Sequence, residues 1–161
     1  MSGLVKGFDP FYDRDSRVLI LGSFPSVKSR AQQFYYGNRQ NAFWGILSKF
    51  FGGDKPETVE EKKEFLLRNK VALWDIVTEC EITGSRDDTI KNYKVANLQE
   101  VLQNSSVSCI LINGGKAYGI FEKFYKGLNV PSVKLPSTSP ANTKRDDGEW
   151  YAALCAAFKR A

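Results

Sequence analysis

Histidine is absent from the chain. Its absence removes the side chain that normally titrates near neutral pH, and with it Ser-His-Asp and Cys-His triads and most zinc sites. Cysteine is scarce, and Cys80, Cys109 and Cys155 stand far apart with no C-x-x-C pair. An odd, scattered set argues against a disulfide framework and suits a reducing compartment. No apolar run approaches the length of a membrane span. The first stretch, MSGLVKGFDPFYDRDSR, is charged throughout and lacks the apolar core of a signal peptide. The expected location is the cytosol, or the nucleus in a eukaryote, with no membrane partner. There is no G-x-x-x-x-G-K-[ST] and no G-x-G-x-x-G, so no nucleotide cofactor is expected, and the bare pair Gly114-Gly115 adds no support. Carboxylates are too sparse near the expected strand ends for a magnesium site.

What is present fits one ordinary domain spanning residues 1–161, long enough to bury a core without disulfides or metal. The net charge is +5, and it is unevenly placed. Residues 16–53 hold Arg17, Lys28, Arg30, Arg39 and Lys49 and no acid, a balance of +5. Residues 107–145 hold six basic residues against Glu122, again +5, while segments 1–15, 54–106 and 146–161 carry −1, −3 and −1. Two basic stretches, as opposed to a uniform basic coat, suit an anionic partner, nucleic acid first.

Apolar runs at 17–22 (RVLILG), 71–78 (VALWDIVT), 107–113 (VSCILIN) and 131–136 (PSVKLP) predict four strands. Helices are predicted over 41–51, 57–69, 95–104, 115–125 and 148–160, and loops over 23–40, 82–94 and 137–142. Asn41 is placed to cap the first of these helices. Strands alternating with helices predict an α/β domain around a four-stranded, mainly parallel sheet. Ligands in such folds bind beyond the carboxyl ends of the strands. Here those ends carry GSFPS, Asp75, Asn113-Gly114-Gly115 and STSPAN. The chemistry gathered there is amide, hydroxyl and aromatic: Ser23, Ser26, Tyr35, Tyr36, Asn38, Asn41, Asn113, Ser137, Ser139 and Asn142. Amides and hydroxyls read a base edge or hold a phosphate, and aromatics stack on a base. A nearly neutral site between basic flanks suits a flipped nucleobase.

The set GSFPS (22–26), QQFYYGNRQNAFW (32–44), ALWDIVTEC (72–80), INGGKA (112–117) and LPSTSPAN (135–142) resembles the uracil-DNA glycosylase superfamily, most closely its hypoxanthine-DNA (deoxyinosine) glycosylase branch. The resemblance runs from about residue 8 to 158. It implies a three-layer α/β/α sandwich and hydrolysis of the N-glycosidic bond of a deaminated base, best hypoxanthine, by a monomer without metal or cofactor. Where most branches carry a water-activating Asp or Asn in the first motif, this chain has Phe24. In the resembling branch the role passes to an Asn further along the loop. Asn38 and Asn41 are both candidates, with Asn41 favoured because an Asn three residues before Trp44 recurs in the mismatch-specific branch. The branch's Pro is replaced here by Arg39. Ser137 stands where relatives often place a His.

By the same resemblance Tyr36 stacks on the extruded base, and Asp75 reads it, with Phe24 and Asn113 completing the base pocket. Ser23, Ser26, Lys28, Ser137, Ser139, Asn142, Lys144 and Arg145 contact DNA. Loop 137–142 presses toward the minor groove with Pro140 near phosphate. Asp75 would accept the N1–H of hypoxanthine, which adenine lacks. An amide is a poor base, so a slow enzyme is expected. Structural roles compete at each position: Asn41 as a helix cap, Tyr36 as a core aromatic, Asp75 and the serines as turn formers, Lys28 as a surface residue. Two other functions stand beside the first, a glycosylase for uracil or a mismatched base and a non-catalytic nucleic-acid-binding module on the same fold.

Overall fold

Side chains alternate across a strand, so an apolar run can feed two cores at once. In the computed structural model, which describes residues 3–160, that alternation organises the chain. Strands β1 (Val5–Lys6) and β2 (Val18–Gly22) are followed by helices α1 (Val27–Gln32), α2 (Phe43–Phe51) and α3 (Val59–Arg68). Then come β3 (Val71–Asp75), β4 (Val77–Glu81), a 3-10 turn at Asp87–Thr89, β5 (Lys91–Val95) and α4 (Gln99–Leu102). The chain ends with β6 (Cys109–Asn113), α5 (Gly115–Tyr125), β7 (Ser132–Leu135) and α6 (Asp147–Arg160).

The main sheet is parallel throughout, in the order β3-β2-β6-β7. On one face Val18, Ile20, Val71, Leu73, Cys109, Leu111 and Leu135 meet Phe43, Trp44 and Leu47 of α2, Phe65 and Leu66 of α3, and Trp150 and Leu154 of α6. On the other face Leu19, Leu21, Ala72, Trp74, Ile110 and Ile112 meet Leu98, Val101, Ala117, Ile120 and Phe121. This is the expected sandwich of helices on both faces of a four-stranded parallel sheet.

Four segments differ from the sequence-based expectation. Residues 71–78 are not one strand. At Ile76 the chain changes sheets: Ile76 N–H still donates to the Gly22 carbonyl at 2.8 Å, but the Ile76 carbonyl accepts from Ala96 N–H at 2.8 Å. β4 then lies in a second, antiparallel sheet in the order β1-β4-β5. Residues 82–94 are accordingly not all loop, since they hold the 3-10 turn and β5. Segment 23–40 contains α1, capped by the Ser26 hydroxyl, which accepts from Ser29 N–H. The helix expected over 95–104 is a single turn, α4. Among the described residues no helix is long and apolar enough to cross a membrane.

Leu111 sits on the central strand β6 with no exposed surface. Leu111→Ala should cost about 2–5 kcal/mol of stability through lost burial and a residual cavity, measured by urea denaturation.

Candidate active site

All four parallel strands point their carboxyl ends at one edge of the sheet, and a cavity of about 790 Å³ opens there. Its walls come from the loop after β2, the end of β3, the β4–β5 loop, the end of β6 and the loop after β7. Phe24, Tyr36, Asn38, Asn41, Asp75, Asn113, Ser23, Ser26, Ser137, Ser139 and Asn142 all line it. Lys28, Lys144 and Arg145 do not. Lys28 and Lys144 are exposed outside it, and Arg145 pairs with Asp147.

Asp75 closes the floor of the cavity. It ends β3 opposite Gly22 of β2 and is 5% exposed. Its Oδ2 is buried and has no hydrogen-bond partner. A Cβ added to Gly22 would lie 2.5 Å from Asp75 Oδ1 and 3.0 Å from the Tyr36 hydroxyl, so only glycine lets these groups approach. Burial, reinforced by the charge of Asp87, pushes the Asp75 carboxyl up to about 8. The group is therefore mostly protonated at neutral pH, and it can donate as well as accept.

Tyr36 forms the adjoining wall. Its φ of 53° is rare for an aromatic residue, and the surroundings hold it there. Trp44 Nε1 donates to the Tyr36 carbonyl at 3.0 Å, and the Phe43 ring stacks on it at 4.0 Å. Phe43 thus covers one face of the Tyr36 ring. Burial and the nearby Asp75 raise the Tyr36 phenol well above its ordinary range, so it stays neutral.

Asn113 uses both ends of its amide within the protein. Nδ2 donates to Thr138 Oγ1 at 2.9 Å and to the Tyr36 hydroxyl at 3.3 Å, and Oδ1 accepts from Thr138 N–H at 3.0 Å. It ties the loop after β7 to the sheet. Inside that loop Ser137 Oγ accepts from Ser139 N–H, Ser139 Oγ accepts from Ala141 N–H, and Asn142 Nδ2 donates to the Ser137 carbonyl. At Gly114 (φ 98°) a Cβ would come within 3.3 Å of Ser137, so the turn into α5 is packed against the same loop. Asn38 and Asn41 belong to one turn, in which Asn41 N–H donates to the Asn38 carbonyl at 2.9 Å. Asn38 Oδ1 accepts from Gln40 N–H at 3.0 Å, and Asn41 Oδ1 accepts from Phe43 N–H at 2.9 Å at the start of α2. Asn41 thus serves the helix start as expected, although the boundary residue is Ala42. Each amide oxygen accepts one of these hydrogen bonds, and both residues line the cavity.

The β4–β5 loop brings residues to which sequence reasoning gave no role: Ser85, Arg86, Asp87 and Asp88. Asp87 Oδ2 accepts from the Ser23 hydroxyl at 2.8 Å, while Asp88 pairs with Arg86 at 2.8 Å. Val27 N–H donates to Ser85 Oγ, and Arg30 Nη2 donates to the Gly84 carbonyl, so this loop is stapled to α1. Thr138 was also unassigned, although it lies inside STSPAN. Among the described residues no group of three His, Cys, Asp or Glu side chains is placed to hold a metal ion.

A parallel α/β/α domain with an aromatic, amide-rich pocket at its strand ends is the class of fold that glycosylases use on extruded bases. The sequence pattern of the uracil DNA glycosylase superfamily matches residues 10–159. A hypoxanthine DNA glycosylase of Methanosarcina acetivorans is 34% identical over 156 residues, covering 92% of this chain and 97% of that protein. One of Methanosarcina barkeri is 32% identical over 158 residues, covering 96% and 98%. A solution NMR structure from Methanosarcina acetivorans, described as a candidate uracil DNA glycosylase, superposes with a TM-score of 0.82 at 30% identity over 96% of this chain and 99% of that one. The chain belongs to the uracil-DNA glycosylase superfamily, as its motifs led one to expect. DNA is the substrate polymer that membership implies.

Two measurements follow from the floor of the cavity. The folded protein holds a proton on Asp75 that the unfolded chain releases near its ordinary value of 3.8. Stability contributed by this site therefore falls as pH rises from about 4 to about 8 and levels off above that. Asp75→Asn should flatten this slope and be more stable than the parent by over about 1 kcal/mol above pH 8, read by denaturant melts across pH. Gly22→Ala should cost about 1–3 kcal/mol by forcing Asp75 and Tyr36 apart, with equal stability counting against the close approach.

Proposed function

We propose that this protein removes hypoxanthine from DNA, hydrolysing the bond between C1′ and the base to leave an abasic site, and that it acts as a monomer. The observation that carries the reading is the Asp75 carboxyl, buried on the cavity floor with an unpartnered oxygen. Hypoxanthine presents an N1–H donor beside an O6 acceptor. A carboxyl oxygen accepts the N1–H, and the proton retained on Asp75 is donated to O6. Adenine presents the reverse pair, an N1 acceptor beside an N6–H donor, so the site rejects it when the Asp75 proton is held on the oxygen that faces O6, where the mismatch leaves buried polar groups unpaired. Tyr36 at the cavity wall supports stacking, and the names of the two Methanosarcina relatives support the choice of base.

In this reading the sugar passes through an oxocarbenium-like state, and positioning together with electrostatics supplies most of the rate. Asn41 orients the attacking water through its remaining amide valences. Ser137, Ser139 and Asn142 hold the loop that faces the DNA backbone.

The test is an oligonucleotide panel containing hypoxanthine, uracil or xanthine, treated with alkali after incubation at enzyme excess. Hypoxanthine should be excised fastest. Uracil excised faster would favour a pyrimidine glycosylase, because its N3–H and O4 offer the same pair of groups to Asp75. An absence of abasic sites from every substrate would leave a binding module. Asn41→Ala should slow single-turnover excision about 100-fold, and Asn38→Ala less than tenfold. Full activity in Asn41→Ala would sink the assignment of the water.

A further inference from the structure

Hydrolysis must dispose of a proton, and the amides of the pocket cannot take it. The Oδ1 atoms of Asn38 and Asn41 each already accept a backbone N–H, at 3.0 and 2.9 Å. A carboxamide can orient water, but it holds a proton far too weakly to serve as a base at neutral pH. With no histidine in the chain, the remaining candidates among the cavity-lining residues are the three acids Asp75, Asp87 and Asp88.

Two of the three are disqualified by their surroundings. Asp75 lies on the buried floor and already carries a proton at neutral pH. Asp88 is committed to Arg86 in an exposed ion pair. Asp87 stands at the cavity wall with its Oδ2 held by the Ser23 hydroxyl at 2.8 Å. Ser23 directly follows the strand end at Gly22, which is paired with Asp75. The hydrogen bond thus fixes a carboxylate from the second sheet's loop over the end of the main sheet. Arg30 and Ser85 fasten that loop to α1, so the placement does not depend on one contact.

We propose that Asp87 is a catalytic residue of the glycosylase, the general base that takes the proton of the attacking water and a carboxylate that stabilises the positive charge developing on the sugar. The inference rests on the glycosylase reading above. The C1′–N bond breaks with its electron pair passing to the base. The water oxygen bonds to C1′, and one water proton passes to the Asp87 carboxylate. The departing base gains one proton, and Asp87 returns its own to solvent, so one water is consumed per base released. The groups facing Asp87 are the Ser23 hydroxyl and Asp75 from the main sheet, the Tyr36 phenol from the loop after β2, the Cys80 thiol from β4, Lys116 from α5, and Asp88 beside it. Burial raises its proton affinity above that of an ordinary carboxylate, which strengthens it as a base; Ser23 and Lys116 act in the opposite direction.

The experiment uses the full chain and hypoxanthine-containing duplex under single-turnover conditions. Asp87→Asn and Asp87→Ala are assayed across pH, with melting temperatures taken for each. Asp87→Asn is a near-isostere that can still accept from Ser23, so it keeps the test valid if the alanine variant folds poorly. Affinity is read in parallel by fluorescence anisotropy on a duplex carrying a tetrahydrofuran abasic analogue. Both folded variants should be at least about 100-fold slower and lose the rising limb of the wild-type pH–rate profile, with affinity within about threefold. A smaller loss of rate, or a loss that leaves the rising limb in place, overturns the assignment. If the wild-type protein excises no base from the panel, the glycosylase reading itself fails, and Asp87 loses its role with it.

Discussion

The amide of Asn113 joins three parts of the pocket that lie far apart in the chain. It ends β6, and its two polar atoms hold Thr138 in the loop after β7 and the hydroxyl of Tyr36 in the loop after β2. Thr138 in turn accepts from Ala42 N–H at 3.0 Å, beside Asn41. The Asn38–Asn41 turn, the Tyr36 wall and the loop after β7 therefore share one set of hydrogen bonds. Such a network, fully satisfied, favours a single arrangement because any slip leaves a buried polar group unpaired. Among the described residues only Asp75 Oδ2 is a buried side-chain polar atom without a partner, and an unpartnered buried oxygen on a cavity floor is what a ligand group would complete.

The electrostatics divide the same way. The two basic stretches lend charge to the loops, but Lys28, Lys144 and Arg145 lie outside the cavity. Inside it the ionisable groups are mainly acids, which would repel a phosphate and leave room for a neutral heterocycle. A phosphate backbone is best met at the rim by cations exposed to solvent, where counterion release supplies affinity. A base is best met inside by groups that lose their hydration once, on folding, and are then ready to pair.

How far the sequence disclosed this depends on the element. The strands at 17–22, 107–113 and 131–136 are short apolar runs bounded by breakers, and they lie where that pattern puts them. The run 71–78 misled because no glycine or proline marks the break at Ile76; the change of sheet is made by a change in hydrogen-bond partner, invisible to composition. The second sheet was missed because β5, with the sequence KNYKV, exposes alternate polar side chains and β1 spans two residues. α1 is six residues long, too short to show an apolar stripe. The pocket residues on recognisable motifs were legible, whereas Asp87 was not. It lies in a polar loop that reaches the site only once β4 and β5 have folded over, and the sequence carries Asp87 and Asp88 as a pair that structure alone separates into one held by Ser23 and one held by Arg86.

The missing histidine then acquires a structural counterpart. Chemistry near neutral pH needs a group whose proton affinity lies there, and imidazole ordinarily supplies it. A carboxyl reaches the same range only when removed from water and set near another negative charge. Asp75 meets both conditions, at 5% exposure with Asp87 as its charged neighbour, and it sits at about 8. This tuning requires the sheet-edge geometry: Gly22 must lack a side chain for Asp75 to lie so deep, and Ser23 must follow it to hold Asp87 close. Two adjacent residues at the end of one strand thus set the proton affinity of one acid and the position of another. A single imidazole could not present an accepting oxygen and a donated proton side by side to a lactam edge, so the carboxyl is the better fit to a deaminated base as well as a replacement in the matter of pKa.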